Sequence, residues 1–219
     1  AREKGRPVYA ETCPQYLLLD ESVYEIPGPG ASKYVCSPPV RSLQDQKALW
    51  DGIAAGQIDT VGTDHCSFRY ADQKAPNAGD FASVPNGLPG VQNRPALLYT
   101  YGVCTGKMSL EAMAALLSEN IARLFGMYPK KGVIQPGSQA DIVVWNPDFS
   151  DVVRAGQLAH RTDYSPFEGF EIKGRAEHVL LGGSPVVENG RLIKADGGRF
   201  VARIQSDFYR RDAVKQQEE

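Results

Sequence analysis

The chain has 219 residues, 42% of them hydrophobic and 23% charged, which suits one large or two small globular domains and excludes an intrinsically disordered chain. Lysine and arginine number 24 against 26 for aspartate and glutamate, so a formal charge of -2 supplies neither a broad basic field for nucleic acid nor a strongly acidic tail. A small neutral ligand suits this balance better than a polyanion, and no apolar run approaches the ~20 residues needed to cross a bilayer, so neither nucleic acid nor membrane is expected as a partner.

Pro7 to Cys13 reads as a short buried strand, with Val8, Tyr9 and Ala10 running into Glu11, Thr12 and Cys13 before Pro14 stops it. Ser42 to Asp45 has the form of a capping box opening a helix, with Leu43, Leu49 and Ile53 facing the core and Gly56 ending it. Ile58 to Asp64 is a second short strand with a polar C-terminal end, so the order is strand, helix, strand. Phe68 to Pro89 is polar and punctuated by Pro76, Gly79, Pro85 and Gly87; with no period of its own it reads as a long loop, and loops of that length are usually functional.

Leu97 to Tyr101 belongs to a further helix. Ser109 to Phe125 is the clearest one, with Leu110, Met113, Leu117, Ile121 and Leu124 at helical spacing, Ser109 as cap, and Gly126 and Pro129 as stop. Beyond Pro136 the texture changes to strands and turns. The sharpest local signal is Asn189-Gly190 between apolar flanks, a tight β-hairpin in which both turn residues tolerate positive φ. A domain change is placed near residue 135, and Phe208 to Glu219 reads as a charged helix or frayed tail.

Cys13, Cys36, Cys66 and Cys104 are widely spaced and form no CxxC pair, which argues against a zinc finger or disulfide scaffold and for a reducing, cytoplasmic setting. The first residues lack the apolar core of a signal peptide, and a chain without an initiator Met is consistent with one that begins partway through a longer protein.

Gly62-Thr63-Asp64-His65-Cys66 is the most informative motif, since it sets a carboxylate and an imidazole at the C-terminal end of a strand, where α/β barrels build their active sites. An aspartate there can ligate a divalent metal and move a proton in amide hydrolysis; it can equally cap the following turn, with His65 merely satisfied in the core. Cys36-Ser37-Pro38-Pro39 is a rigid segment whose free backbone groups can face a ligand, or an ordinary turn before the helix. Asn86, in Val84 to Gly90, offers a donor and an acceptor that match the edge of a cyclic amide, or is a plain loop asparagine. His160 and His178 lie far along the chain in the β-rich region and form no HxH or HExxH pair, so each reads as structural or exposed. The spacing does not encode a complete three-ligand metal site.

Six ordered motifs resemble the dihydropyrimidinase and D-hydantoinase family of the amidohydrolase superfamily: Val8 to Leu17, Ser37-Pro38-Pro39, Gly62 to Cys66, Pro85 to Gly90, Ser118-Glu119-Asn120, and Lys131 to Gly137. Ala140-Asp141 and Tyr164 to Gly169 extend the likeness into the β-rich region. The resemblance implies an α/β fold: the C-terminal portion of a TIM-like (β/α)8 barrel over residues 1–135, then a small β-rich composite sandwich over 136–203 and a charged tail over 204–219. It also implies a binuclear zinc centre held by four histidines, one carbamylated lysine and one aspartate, of which this chain supplies only Asp64. Ser37 and Asn86 would hold the ring amide or imide of the substrate through backbone groups. Asp64 would accept the proton of the attacking hydroxide and pass it to the departing ring nitrogen, giving an N-carbamoyl amino acid.

The complete enzyme would be a homotetramer or dimer. Ser67, where proline is frequent, and Gln92-Asn93, where an acidic residue is frequent, depart from the family pattern without touching the chemistry. An allantoinase or dihydroorotase would share the barrel and the aspartate, but Ser37-Pro38-Pro39 with Pro85 to Gly90 argues against both. Non-catalytic dihydropyrimidinase-like adapter proteins lose metal ligands, and Asp64 favours the catalytic branch. The remaining readings are a free-standing interaction module or a fragment; a barrel missing most of its strands exposes sheet edges and is expected to be inactive alone.

Overall fold

A computed structural model describes residues 2–4, 6–194 and 197–206; the segment 208–219 read as a charged helix or tail lies outside the described residues. The first strand, β1, is shorter than the sequence suggests: only Glu11–Thr12 is paired, and Val8 is 45% exposed rather than buried. A short helix, α1 (Pro14–Leu18), follows with proline in its first turn, where the missing N–H costs nothing. Helix α2 (Leu43–Ala54) starts on the Ser42–Asp45 capping box, both halves of which are formed, and ends before Gly56, whose φ of +66° favours glycine. Leu43 does not face the core: it sits at the first helical position with 65% of its surface exposed, and Trp50 and Ile53 carry the buried face instead. The indole N–H of Trp50 donates to the Leu17 carbonyl at 2.9 Å and locks α2 onto α1.

Strand β2 (Thr60–Val61) pairs in parallel with β1, Glu11 opposite Thr60 and Thr12 opposite Val61. Two residues a side make a weak ladder, and side chains reinforce it. The Asp59 carboxylate accepts from Ala10 N at 2.7 Å and pairs with Arg2, Thr60 Oγ1 donates to Glu11 at 2.8 Å, and Asn120 Nδ2 donates to the Asp59 carbonyl at 2.8 Å. The long polar segment after β2 is not featureless: it folds into single helical turns at Tyr70–Lys74, Ala75–Asn77 and Phe81–Ser83.

Helix α3 (Arg94–Leu98) runs on through a wider turn at Tyr99–Val103. The helix expected over 109–125 is present in three consecutive pieces, α4 (Leu110–Ala114), a wide turn at Ala115–Glu119 and α5 (Asn120–Leu124), capped by the Ser109 side chain and stopped before Gly126 at φ +67°. Leu110, at the first helical position, is 52% exposed, whereas Met113 and Leu116 are buried beside Leu17, Trp50, Val61 and Leu98 in one core cluster.

A four-stranded antiparallel sheet follows in the order β3 (Ile142–Val152), β4 (Glu171–Leu181), β5 (Ser184–Glu188), β6 (Arg191–Leu192). The β3–β4 register shifts between Asn146 and Ser150, which accommodates Pro147 where a regular ladder would need its missing N–H. The β5–β6 turn is the expected hairpin, with Asn189 at φ +49° and Gly190 at φ +71° and Glu188 opposite Arg191. The connection from β3 to β4 folds back over the helices: Phe167, 1% exposed, packs with Leu88, Leu97, Cys36 and Val40 in a second core cluster. No helix among the described residues is long and apolar enough to cross a membrane.

Candidate active site

Asp64 follows the C-terminal end of β2 with φ +47°, a left-handed backbone that aspartate tolerates better than most residues. Its carboxylate is exposed and accepts no hydrogen bond among the described residues, so it does not cap the next turn. Of the bland reading, the cap is absent while the satisfied His65 is present. His65 and Cys66 hold the segment down instead: Cys66 N donates to the Leu88 carbonyl at 3.0 Å, and His65 Nδ1 accepts from Gly90 N at 3.0 Å and Val91 N at 3.3 Å. With Nδ1 accepting, the proton of the neutral ring belongs on Nε2, which lies 2.6 Å from the Ser67 hydroxyl.

The other two expected contact residues join the same assembly. Ser37 and Asn86 are both exposed, and their loops are sewn to each other through residues one or two positions from each. Gly87 N donates to the Val35 carbonyl at 3.1 Å, and the buried Lys74 ammonium donates to Val35 O at 3.0 Å and to Pro85 O at 2.8 Å. Gly87, at φ +138°, passes so close to the Asp64 loop that an added Cβ would lie 2.4 Å from Cys66 Cβ, so only glycine fits. Tyr16 donates its hydroxyl to Pro38 O at 2.9 Å, and the Tyr24 hydroxyl accepts from Val40 N at 2.9 Å, bracing the Ser37 loop from either side. The loops bearing Ser37, Asp64 and Asn86 are thereby joined through direct hydrogen bonds.

Two buried thiols beside the site, Cys13 and Cys36, are held in the protonated form. Burial, then the carboxylates of Glu11 and Asp64, push the Cys13 thiol up to about 12, and burial raises Cys36 as well, so both stay protonated at neutral pH. Burial raises Tyr16 and lowers Lys74 to about 8.

The β3–β4 connection adds residues that sequence reasoning left aside. Asp163 accepts from Tyr70 N at 2.6 Å and Ala71 N at 2.9 Å, tying this connection to the long loop after Asp64. His160 lies with its ring centroid 5.7 Å from that of His65; its Nδ1 is 2.6 Å from Thr162 Oγ1, and its Nε2 is buried without a hydrogen-bond partner among the described residues. Burial, then the neighbouring His65 ring, lowers the His160 pKa. A lone histidine about a hundred residues downstream carries no local pattern that would have paired it with His65. Lys74 is equally silent, a single cation in a polar stretch. His178 sits within β4 opposite Val144, in the antiparallel sheet.

No three His, Cys, Asp or Glu side chains among the described residues cluster closely enough to hold a metal ion. Asp64 alone presents an uncommitted carboxylate at a strand end, a fit for one position of a metal centre and not for a whole one.

Comparison with known proteins gives these features a context. The Amidohydrolase family profile matches residues 28–186. D-phenylhydantoinase of Escherichia coli O1:K1 is 45% identical over 204 residues, 93% of this chain and 44% of the relative. The crystal structure of dihydropyrimidinase from Brevibacillus agri superposes with a TM-score of 0.85 at 42% identity, covering 88% of this chain and 42% of that one. L-hydantoinase (dihydropyrimidinase) from Arthrobacter aurescens gives 0.84 at 34% identity, over 92% of this chain and 44% of that one. The chain thus spans less than half the length of the relatives it matches. Its α/β part and antiparallel sheet have the fold of the corresponding stretch of these hydantoinases, and the chain belongs to the amidohydrolase family.

Proposed function

We propose that this chain carries part of the active site of a cyclic amidase that opens a dihydropyrimidine or hydantoin ring to an N-carbamoyl amino acid. The observation that supports it best is the stitching of the Ser37, Asp64 and Asn86 loops through Val35 O, Lys74, Gly87 and Leu88. Backbone groups of Ser37 and Asn86 bracket the ring amide or imide, a small neutral ligand of the kind the chain's charge suits. The oxygen of an attacking water bonds to the ring carbonyl carbon, the carbon–nitrogen ring bond breaks, and Asp64 carries the water proton to the departing nitrogen. An exposed carboxylate without a hydrogen-bond partner is suited to that transfer.

The reading includes a binuclear zinc centre with a carbamylated lysine, to which this chain would contribute Asp64 and sequence beyond it the other donors. Zinc in a complete ligand set lowers the pKa of bound water to about 7 and so supplies the nucleophile at neutral pH. The same proposal takes residues 1–135 as barrel and 136–203 as the β-rich unit, a homotetramer or dimer as the assembly, and a reducing cytoplasm as the location of its four scattered thiols. Relatives named for D- and L-hydantoinase match this stretch with nearly equal TM-scores, so the proposal concerns the ring class and not its handedness.

The test is a substrate panel of dihydrouracil, hydantoin, allantoin and dihydroorotate, given to the protein at the length of its relatives. Turnover of the first two, with little of the others, is expected. Turnover of allantoin or dihydroorotate alone moves the protein to another cyclic amidohydrolase, and none at all favours a non-catalytic relative.

A further inference from the structure

Lys74 closes the helical turn Tyr70–Lys74, and its side chain has 0% of its surface exposed. Among the described residues it forms no ion pair with a carboxylate. Its ammonium spends two donors on backbone carbonyls, Val35 O at 3.0 Å and Pro85 O at 2.8 Å. Burying a cation on two neutral carbonyls is costly, and an apolar side chain of similar length would fill the same space at lower cost. The two carbonyls it satisfies offset part of that cost, so filling space alone does not explain a lysine here. What the ammonium does is geometric: Val35 lies two residues before Ser37, Pro85 one residue before Asn86, and among the described residues the two segments share one other hydrogen bond, Gly87 N to Val35 O at 3.1 Å. A three-donor head on a fully packed stem fixes the separation of two otherwise irregular loops.

We propose that Lys74 is a positioning residue that sets the spacing of the Ser37 and Asn86 backbone groups and so governs how tightly the ring amide is held. This inference rests on the cyclic-amidase reading. The Lys74 ammonium is bonded to Val35 O and Pro85 O and makes no hydrogen bond to Asp64, so its loss is expected to act on binding more than on the chemical step.

The experiment compares wild type, Lys74→Met and Lys74→Arg in the protein at the length of its relatives, by steady-state hydrolysis of dihydrouracil and hydantoin and by peptide-level hydrogen exchange. Lys74→Met is expected to raise KM about tenfold with kcat within about threefold, and to increase exchange selectively in residues 33–38 and 84–90. Lys74→Arg, which keeps donors at the site, is expected to recover part of the KM change. Unchanged KM and unchanged exchange in Lys74→Met overturn the proposal. So does loss of protection throughout the protein in both variants, because Lys74 is then core and not clamp. Selective loosening of the two segments in a protein whose wild type opens neither ring overturns the cyclic-amidase reading while supporting the clamp, so the two failures are distinguishable.

Discussion

The two sheets hold their strands by different means. Strands β3 and β4 are eleven residues each and pair along most of their length, with shifts around Trp145 and Pro147, so the backbone ladder itself defines the unit. Strands β1 and β2 contribute two residues each and rely on Asp59, Glu11 and Asn120 to stay in register. The candidate site grows out of the second kind of structure. Its loops are fixed by isolated backbone bonds and by side chains reaching backbone groups, as with His65, Lys74 and Asp163, and not by a continuous ladder. Single substitutions should therefore disturb geometry near the site far more than in the β unit, where only special backbone positions are vulnerable.

The largest effect expected is on chemistry. Asp64→Asn keeps a residue that tolerates φ +47°, so the fold should hold while the proposed proton carrier is lost. The expected fall in kcat is on the order of 10²–10⁴-fold, measured on hydantoin with the thermal midpoint as control. An Asn variant that retains turnover removes Asp64 from this role.

Next comes a backbone position. Gly87→Ala must place a Cβ against Cys66 at a φ that alanine avoids, and should cost about 2–3 kcal/mol in denaturant unfolding as well as activity. Gly190→Ala, in the β5–β6 hairpin, meets only the end of the flexible Arg175 side chain. It should cost about 1 kcal/mol from its φ of +71° and leave kcat and KM alone. If both substitutions affect activity equally, the contrast between the two regions fails.

A pH series sharpens the same contrast. Between about pH 8 and the usual lysine value of 10.5, buried Lys74 binds fewer protons in the folded chain than in the unfolded one, so it makes stability rise with pH across that window. Cys13, pushed up to about 12, works the other way, because the unfolded chain gives up the thiol proton first. The wild-type-minus-Lys74→Met difference in unfolding free energy isolates the lysine and should move in favour of wild type from pH 8 to 10. The smallest expected effect is Ser42→Ala, which removes half of a formed capping box and should cost about 1 kcal/mol with no change in KM.

Much of this was legible in the chain. The Ser42 cap, the Gly56 and Gly126 stops and the Asn189-Gly190 turn obey local rules, and local rules were enough to place them. Leu43 reads inward because helical periodicity counts every apolar residue alike, while the first position of a helix lies at its rim, as the exposed Leu110 also shows. The strand-end setting of Asp64 was visible, but its lack of a capping bond depends on His65 and Cys66 anchoring the loop to residues more than twenty positions away. His160, Asp163 and Lys74 act only through tertiary contacts from single residues without a motif, and no spacing in one sequence announces those.

On the proposed function this chain supplies the Asp64 carboxylate and the Ser37 and Asn86 contacts, and the remaining metal donors come from outside it. Zinc content and hydantoin hydrolysis, measured for this chain beside the same chain at the full length of its relatives, test that most directly. Two zinc ions and turnover are expected in the longer protein, and neither in the shorter one. Stoichiometric zinc or ring opening by the 219-residue chain alone would contradict it.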